Sequence, residues 1–461
     1  MINQVSLARL MRLLSMAIVA YLTVGALPSN AETNVAATPA QTTGASTNNV
    51  AATTVTAPLA AAATTPTAPT PTMVTVTGAP SAPPATADNL AINRPNTLTP
   101  PPPALDVKAY VLMDVKTGQI LAEKEANTRL PPASLTKMMT LYVVSDALKS
   151  GRIHLTDQVQ ISAKAWQMGG SKMFIRVDQL VSVQDLLLGI IVDSGNDACV
   201  ALSTYTAGSE DAFVHMMNTQ AQALGMKGSH FTDSTGLPDP DHYVTAHDMA
   251  ILGQALIRDF PEYYGWYKQK WLTFNGIRQM NRNRLLWHDP KVDGIKTGHT
   301  DEAGYCLVAS AQDGDMRLIS VVLGATSDND RATSSGSLLT YGYRFFETQK
   351  LYAANSSLTT QRVWLGEKGE SNFGLAQDLY LTIPRGQYSQ LQATMNIDKY
   401  LKAPIVKGKP YGTLTLTLHD QPIASVPLVA LTDDPKGGLW TQMMDSLRLA
   451  SHKLFHRQPA A

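Results

Sequence analysis

A long stretch rich in alanine, threonine and proline, residues 32–103, limits what this 461-residue chain can fold into. The stretch ends in four consecutive prolines, Pro100 to Pro103, and its few valines are scattered. A segment of this composition cannot bury enough apolar surface to offset the entropy of ordering its backbone. We therefore predict a disordered, partly extended tether, and we expect the packed cores to lie in the chain that follows it.

The first 31 residues have the pattern of a secretory signal peptide. Arg9 and Arg12 precede an apolar run at 13–27, and residues 28–31 (PSNA) offer a small-x-small cleavage site. The run is too short for a stable membrane span, although an uncleaved anchor is the alternative. No later segment is long and apolar enough to span a membrane. We therefore expect an exported and largely soluble protein.

The charge balance and the cysteines argue against several classes of function. Lysine plus arginine and aspartate plus glutamate both number 37, and charged residues make up only 16% of the chain, so we predict no nucleic-acid partner. Cys199 and Cys306 each lie between apolar residues. That setting favours two buried free thiols, although a disulfide stays open. No His/Cys cluster has metal-ligand spacing, so we predict neither a metal nor another cofactor.

Hydrophobic periodicity predicts strands at both ends of region 104–347 and helices between them. Strands are predicted at 109–114, 119–123, 292–297, 305–311 and 318–324, with turns at 116–118 and at 313–314. Helices are predicted at 135–148, 181–192, 198–205, 213–224, 246–258 and 341–346. This order predicts an α/β (α+β) domain whose sheet is assembled from distant segments, with helices packed on it. The strand order does not follow from the pattern.

The chain changes character after residue 347. Segments 379–383, 412–418 and 423–431 read as strands, and 413–418 alternates threonine with leucine. We predict a small all-β domain at 348–436 without paired catalytic candidates. A final helix is predicted at 437–455, within a tail that runs to residue 461.

Ser134 and Lys137 form the first candidate catalytic pair. Two prolines, Pro131 and Pro132, stop the preceding segment, and the apolar run that follows starts a buried helix. Residues three apart share a helical face. A neutral amine beside a hydroxyl at a helix start can activate that hydroxyl as a nucleophile. The alternative is a serine that caps the helix, followed by a solvated lysine.

Two further motifs complete a recognisable order. Ser194 and Asn196 (SGN) lie at a predicted helix junction, and Lys296, Thr297 and Gly298 (KTG) lie on a predicted strand. Second copies, KTG at 116–118 and SDN at 327–329, are more simply turn residues. Only the first set has the order Ser-x-x-Lys, Ser-x-Asn, Lys-Thr-Gly, which is the signature of serine β-lactamases and penicillin-binding proteins.

The sequence closely resembles the low-molecular-mass penicillin-binding proteins of Gram-negative bacteria that are D-alanyl-D-alanine carboxypeptidases. The matching stretches are 132–139 (PASLTKMM), 194–202 (SGNDACVAL), 281–283 (NRN) and 292–300 (VDGIKTGHT). The resemblance runs from about residue 104 to 346 and continues more weakly to the C-terminus. It departs at Val177-Asp178, where relatives often have Pro-Gly, and at Arg284, where glycine is common. The tether is unusually long for the family.

The resemblance implies a transpeptidase-like fold on a β-sandwich stalk and a role for each motif. Ser134 would attack the carbonyl between two terminal D-alanines of a peptidoglycan stem peptide, with Lys137 as base and Ser194 as proton relay. The backbone N–H groups of Ser134 and His299 would hold the oxyanion. Lys296, Thr297 and Arg282 would face the terminal carboxylate, Gly298 would leave the strand edge unhindered, and Asn196 would bind the peptide amide. For the Arg282 and His299 side chains, a surface or structural role is the alternative.

Three alternatives to a carboxypeptidase remain on the same scaffold: a β-lactamase, an endopeptidase and a wall-binding protein without activity. β-Lactams, as mimics of the D-alanyl-D-alanine end, should acylate Ser134 as covalent inhibitors, whereas a β-lactamase would need a carboxylate positioned for fast deacylation. An endopeptidase differs only in its leaving group, and the motifs do not separate it. A wall-binding scaffold without activity would be expected to lack a catalytic group, and none is missing.

The tail helix has one apolar and one basic side on a helical wheel. The apolar side carries Trp440, Met443, Met444, Leu447, Leu454 and Phe455. The other side carries Asp445, His452, Lys453, His456 and Arg457, with Leu449 as a stray apolar residue. Gly437 and Gly438 separate the helix from the β domain. We predict that it lies on the outer face of the inner membrane and holds a periplasmic enzyme there. A helix docked on the β domain is the alternative.

Overall fold

The structure, a computed structural model, describes residues 99–398 and 400–455. The predicted signal peptide and all but the last five residues of the predicted tether lie outside the described residues. Pro101 and Pro102, from those last residues, are exposed, and Tyr341 donates a hydrogen bond of 2.9 Å to the carbonyl of Pro100.

A five-stranded antiparallel sheet, in the order β2-β1-β9-β8-β7, forms the centre of the first domain. Its strands are β1 (Ala109–Asp114), β2 (Ile120–Lys124), β7 (Val292–Thr300), β8 (Gly304–Asp313) and β9 (Met316–Ala325). Two short antiparallel strand pairs lie outside it, β3 (Gln158–Gln160) with β4 (Leu180–Ser182) and the hairpin of β5 (Trp271–Phe274) with β6 (Ile277–Met280). The sequence predicted all five strands of the central sheet, assembled from the distant segments expected.

Helices cover both faces of this sheet. The helices of the first domain are α1 (Lys137–Lys149), α2 (Ala163–Gln167), α3 (Val183–Leu188), α4 (Asn196–Ala207), α5 (Glu210–Ala223), α6 (Ala246–Asp259), α7 (Pro261–Tyr264), α8 (Leu285–His288) and α9 (Asp328–Phe345). Alternate residues of β1 enter different cores: Val111 packs with the α1 and α6 side, and Leu112 with the α9 side. Every residue of β1 is therefore buried, as expected for a strand packed on both faces.

Two predicted helices have different bounds in the structure. The helix predicted at 181–192 begins at Val183, because Ser182 ends β4 and caps α3 by accepting a hydrogen bond of 3.0 Å from Asp185 N–H. Its last turn, Gly189–Asp193, is a π-helix. The helix predicted at 341–346 begins at Asp328. Ser327 of the second SDN motif caps it, so this motif is a helix start rather than a turn.

The second domain is a sandwich of two antiparallel sheets. Its strands are β10 (Phe346–Tyr352), β11 (Thr359–Arg362), β12 (Glu370–Gly374), β13 (Leu379–Pro384), β14 (Leu391–Ile397), β15 (Pro410–Leu418) and β16 (Gln421–Ala430). β10 pairs with β13, and the order β11-β12-β16-β15-β14 forms the other sheet. Leu381 and Ile383 of β13 pack against Leu414 and Leu416 of β15. The three predicted strands are confirmed as β13, β15 and β16.

A single helix, α10 (Leu439–Phe455), ends the described chain, close to its predicted bounds. Within residues 99–398 and 400–455, no helix combines the length and apolarity needed to cross a bilayer. Cys199 and Cys306 are both buried free thiols, as the sequence favoured.

Candidate active site

Ser134 and Lys137 lie together at the start of α1. A 3-10 turn, Ala133–Thr136, precedes the helix, and Ala133 has a φ of +47°. Lys137 Nζ lies 2.8 Å from Ser134 Oγ and donates to the Thr235 carbonyl oxygen at 2.7 Å. The Lys137 side chain is fully buried, and burial lowers its pKa, with the Arg282 cation acting in the same direction. A buried amine of lowered pKa beside a hydroxyl can take that hydroxyl's proton.

The second and third motifs meet directly. Ser194 has a φ of +58° at the junction between the π-turn and α4, and Lys296 Nζ donates to Ser194 Oγ at 2.9 Å. Burial lowers the pKa of Lys296 well below its ordinary value, and the cations of Lys137 and Arg282 lower it further. Asn196 also faces this region, where its side-chain amide donates to the Gly169 carbonyl at 2.8 Å. Two hydroxyls and two lysines thus line one site.

The strand that carries the KTG motif is the last strand of its sheet, β7. Gly298 is needed there because a Cβ atom would lie 2.9 Å from the Pro132 carbonyl and 3.2 Å from Leu135 N. The β7 backbone at Gly298 therefore lies directly against the turn at 133–136 that carries Ser134, the nucleophile turn. Thr297 is buried, whereas the His299 side chain is exposed and packs on Tyr305, with ring centroids 4.0 Å apart.

Arg282 lies at the rim of the same site. Its guanidinium donates to Ser171 Oγ at 2.7 Å and lies near enough to Lys137 and Lys296 to lower the pKa of both. It is an exposed cation and is therefore able to meet an incoming anion. The structure thus brings all nine predicted site residues into one region formed by α1, the start of α4, β7 and the segment after β6.

A loop that the sequence reasoning missed lies against the nucleophile turn. Gly236 has a φ of +90°, and a Cβ atom there would lie 1.8 Å from the Ala133 carbonyl oxygen. Asp233 holds the loop by accepting hydrogen bonds from Thr235 Oγ1 and Gly236 N–H, both at 2.7 Å. Burial alone would raise the pKa of Asp233, but hydrogen bonds from His242 and Thr235 hold it below its ordinary value. The Asp-x-x-Gly spacing is a turn signal that could have identified this loop.

His242 and Arg331 also contact the site, and the sequence motifs did not predict either residue. The His242 ring, buried in the domain, lies with Nε2 2.9 Å from Oγ1 of Thr136, between the two catalytic candidates of the first motif. Arg331, on α9, donates to the Gly298 carbonyl at 2.9 Å and fixes β7 from the other side. Neither residue belongs to a motif, so no local signal could have identified it.

Asp193 is a buried carboxyl group directly before Ser194. Neither of its carboxyl oxygens has a hydrogen-bond partner within the described chain. Burial raises its pKa to about 7, partly offset by the Arg282 cation and reinforced by Asp197. A carboxyl group in such a setting changes its charge near neutral pH.

The second KTG motif and the two departures from the family pattern have structural roles. Lys116 lies 5.0 Å from the centre of the Tyr380 ring, and Thr117 Oγ1 lies 2.9 Å from Thr382 Oγ1, so this turn contacts the β domain. Asp178 adopts a φ of +62°, a conformation that glycine would adopt without strain. Arg284 forms an ion pair of 2.7 Å with Asp328.

Comparisons with known proteins find matches to both domains of this chain. Residues 96–327 match the family model described as D-alanyl-D-alanine carboxypeptidase, and residues 346–436 match the C-terminal domain of penicillin-binding protein 5. D-alanyl-D-alanine carboxypeptidase DacA of Escherichia coli is 45% identical over 80% of this chain and 93% of its own. DacC of the same organism is 46% identical over 77% and 90%. The crystal structure of penicillin-binding protein 5 from Haemophilus influenzae is 46% identical, with a TM-score of 0.70 over 73% of this chain and 99% of its own.

Proposed function

The chain belongs to the D-alanyl-D-alanine carboxypeptidase family, and we propose that it acts through an acyl-enzyme formed on Ser134. It is a serine-type D-alanyl-D-alanine carboxypeptidase and a penicillin-binding protein. The observation that supports Ser134 most strongly is the buried Lys137 amine of lowered pKa, 2.8 Å from its hydroxyl. A β-lactamase or an endopeptidase on the same scaffold is less well supported, since the named relatives are carboxypeptidases.

The proposed acylation conserves atoms and charge. Lys137 takes the Ser134 proton while Ser134 Oγ bonds to the carbonyl carbon between the two D-alanines. Backbone N–H groups of Ser134 and His299 stabilise the oxyanion. The C–N bond then breaks, and the proton passes through Ser194 to the amine of the departing D-alanine. Water then hydrolyses the ester and restores the free Ser134 hydroxyl.

Recognition of the peptide end uses a hydroxyl and two basic side chains of the site. Lys296, Thr297 and Arg282 would face the terminal carboxylate, and the exposed Arg282 guanidinium would give a charge-assisted hydrogen bond. The Asn196 amide would bind the peptide, and β7 would pair with it along the strand edge. A β-lactam would occupy the same place and leave Ser134 slowly.

Product analysis of a pentapeptide muropeptide tests this function. Mass spectrometry after incubation should show loss of a single terminal alanine, and Ser134→Ala should show none. Lys116→Ala, in the second KTG motif, is the matched control and should release alanine at the wild-type rate. Cleavage of cross-linked dimers in place of alanine loss would instead identify an endopeptidase. Rapid hydrolysis of penicillin without alanine loss would identify a β-lactamase.

We also propose a signal peptide at 1–31, a tether at 32–103, domains at 104–347 and 348–436, and a membrane-associated tail on a periplasmic enzyme.

The sequence predicts that Asp445 lies on the polar side of the tail helix, α10, and that Leu449 is an isolated apolar residue on the same side. In the structure this side packs on the β domain: both residues are buried, and Asp445 accepts hydrogen bonds from Arg362 at 3.1 Å and from Leu365 N–H at 3.0 Å.

The other side of α10 is apolar and exposed. The exposed fractions are 72% for Trp440, 48% for Met443 and 62% for Leu447. The predicted positions of the Leu454, Phe455, His452 and Lys453 side chains, and of His456 and Arg457, lie outside the described residues. Docking through Asp445 and an outward Trp-Met-Leu surface are compatible with each other, and such a surface suits the headgroup region of a membrane.

Vesicle sedimentation tests the membrane proposal without disturbing the docked side. The full-length mature protein should sediment with anionic vesicles, whereas a chain ended at Lys436 or the double variant Trp440→Ser, Leu447→Ser should stay in solution. Thr441→Ser, on the same helix, is the control. The proposal fails if the full-length and truncated chains are equally soluble, or if truncation unfolds the β domain and leaves membrane association unchanged.

A further inference from the structure

A hydrogen-bond network lies behind the nucleophile turn, and the function proposed above does not use it. Thr136 Oγ1 donates a hydrogen bond of 2.9 Å to the Ala133 carbonyl, and His242 Nε2 lies 2.9 Å from the same hydroxyl. At the other side of the ring, Nδ1 lies 3.3 Å from a carboxylate oxygen of Asp233. Ala133, Thr136 and His242 are almost completely buried, so these bonds are shielded from water.

The number of hydrogens fixes the direction of each bond in this network. The Thr136 hydroxyl has one hydrogen, which goes to the Ala133 carbonyl, so this hydroxyl can only accept from the His242 ring. His242 Nε2 therefore carries a proton and donates it. Nδ1 faces the Asp233 carboxylate at 3.3 Å and the Thr232 hydroxyl at 3.1 Å, so it has a partner whether or not it is protonated. A ring bonded at both nitrogens is held in one orientation.

The network ends on the peptide group between Ala133 and Ser134. The carbonyl of this group accepts from Thr136. In the proposed function, on which this inference rests, its N–H is one of the two donors to the oxyanion. The carbonyl and the N–H of a trans peptide lie in one plane and point in opposite directions. A fixed carbonyl therefore fixes the direction of the N–H, and because hydrogen bonds in series polarise one another, the N–H becomes a stronger donor.

Two other features show that the orientation of this peptide group is under constraint. Ala133 has a φ of +47°, which a residue with a Cβ atom adopts only at a cost, so the contacts around it must hold it there. A Cβ atom at Gly236 would lie 1.8 Å from the Ala133 carbonyl oxygen and 2.7 Å from Thr136 Oγ1. The Gly236 loop therefore lies directly on the carbonyl that the network holds.

Asp233 connects this network to the base. One of its carboxylate oxygens faces His242, and the other accepts hydrogen bonds of 2.7 Å from Thr235 Oγ1 and from Gly236 N–H. The carbonyl of Thr235 in turn accepts from Lys137 at 2.7 Å. A single carboxylate thus orients both the loop that contacts the base and the ring that contacts the nucleophile turn.

We propose that His242 is a positioning residue for the reaction, because through Thr136 it orients and polarises the Ser134 N–H that stabilises the oxyanion. Asp233 holds the ring in the orientation that this role requires. Since His242 acts through Thr136 rather than on the substrate, its loss slows the formation of the tetrahedral intermediate and leaves substrate binding unchanged. Removal of a whole oxyanion donor costs about 10²- to 10³-fold in kcat. Here the donor remains and loses only its alignment, so the rate falls by about 10- to 100-fold.

Stopped-flow acylation of the full chain by penicillin tests this role. His242→Met fills the space of the ring but donates no hydrogen bond, so it should slow acylation about 10- to 100-fold and leave the dissociation constant of the noncovalent complex unchanged. Affinity for a boronic acid that bonds to Ser134 Oγ should fall by the same factor, since one boronate oxygen takes the place of the oxyanion. His242→Gln, whose amide can donate to Thr136, should recover most of the lost rate. His230→Gln is the matched control, because His230 is exposed and its ring lies 2.7 Å from the Asp241 carbonyl.

Thr136→Val is a second variant, which keeps the volume of the side chain and removes the hydroxyl from the network. It should slow acylation as much as His242→Met, and the double variant should be no slower than either, because both changes break the same network. Wild-type acylation rates in both single variants, in a protein whose wild type is labelled at Ser134, would overturn this inference alone. Additive losses in the double variant, or a loss confined to the dissociation constant, would overturn it too. A wild type that penicillin does not label at Ser134 would instead overturn the proposed function.

Discussion

Replacement of Asp193 by asparagine should make the protein more stable at alkaline pH and leave its stability at acidic pH nearly unchanged. The carboxyl group is buried, and neither oxygen has a hydrogen-bond partner within the described chain, so the neutral form loses no contact on substitution. Burial raises its pKa to about 7 in the folded protein. An aspartate in an unfolded chain has a pKa of about 3.9.

The direction of the effect follows from proton linkage. Well below the unfolded pKa of about 3.9 both states carry the proton, and the group has no effect on the free energy of unfolding. Between about pH 4 and 7 the unfolded chain loses its proton first, so the folded state becomes less stable as the pH rises. Above pH 7 the cost is constant. A shift of about three pKa units corresponds to about 4 kcal/mol.

Thermal unfolding of wild type and Asp193→Asn at pH 4 and pH 8.5 measures this cost. For a domain of this size, about 4 kcal/mol corresponds to a rise in Tm of about 8 °C or more at pH 8.5. Asp211→Asn, which removes an exposed carboxylate from α5, controls for the loss of one negative charge. An equal Tm difference at both pH values, or a less stable variant at pH 8.5, would refute the reasoning.

Three further substitutions follow from the site. Lys137→Ala should slow penicillin acylation by orders of magnitude because the base is lost, and near-normal stopped-flow acylation would place the base elsewhere. Gly236→Ala should cost about 3 kcal/mol or more of stability in urea unfolding, because its Cβ would lie 1.8 Å from the Ala133 carbonyl. Gly151→Ala, at a φ of +71° but in open space, is its control and should cost only about 1 kcal/mol; equal costs would contradict the packing argument. Lys116→Ala should leave kcat and KM for alanine release almost unchanged, since Lys116 packs on Tyr380 of the β domain. A large fall in kcat for this variant would mean that the order of the motifs selected the wrong KTG.

The elements with a clear hydrophobic period could be predicted from the sequence. Strand β1 and helix α6 lie within one residue of their predicted bounds, because each contributes an apolar surface to the core. The start of α9 could not be predicted, since its first residues, 328–337, are mostly polar and only the cap at Ser327 marks it. Strand β14 was missed because its residues are mostly exposed and show no alternation of burial.

The site could be predicted only where its residues belong to motifs. The three motifs are short local patterns whose order in the chain carries the information, and the structure brings them together. His242 and Arg331 act through contacts with residues 33 or more positions away, which no local pattern records. Asp233 is different, because its bonds to Thr235 and Gly236 belong to a local turn that the sequence does carry. Asp193 could not be recognised either, because its significance depends on its burial and on hydrogen bonds that it does not make.

Peptide mapping of the penicillin adduct tests the central claim most directly. Wild-type protein incubated with penicillin should gain one penicilloyl group, located on Ser134 in the digested peptide, and Ser134→Ala should gain none. A wild-type adduct on another residue, or a Ser134→Ala variant labelled at the wild-type rate, would contradict the assignment of Ser134 as the nucleophile.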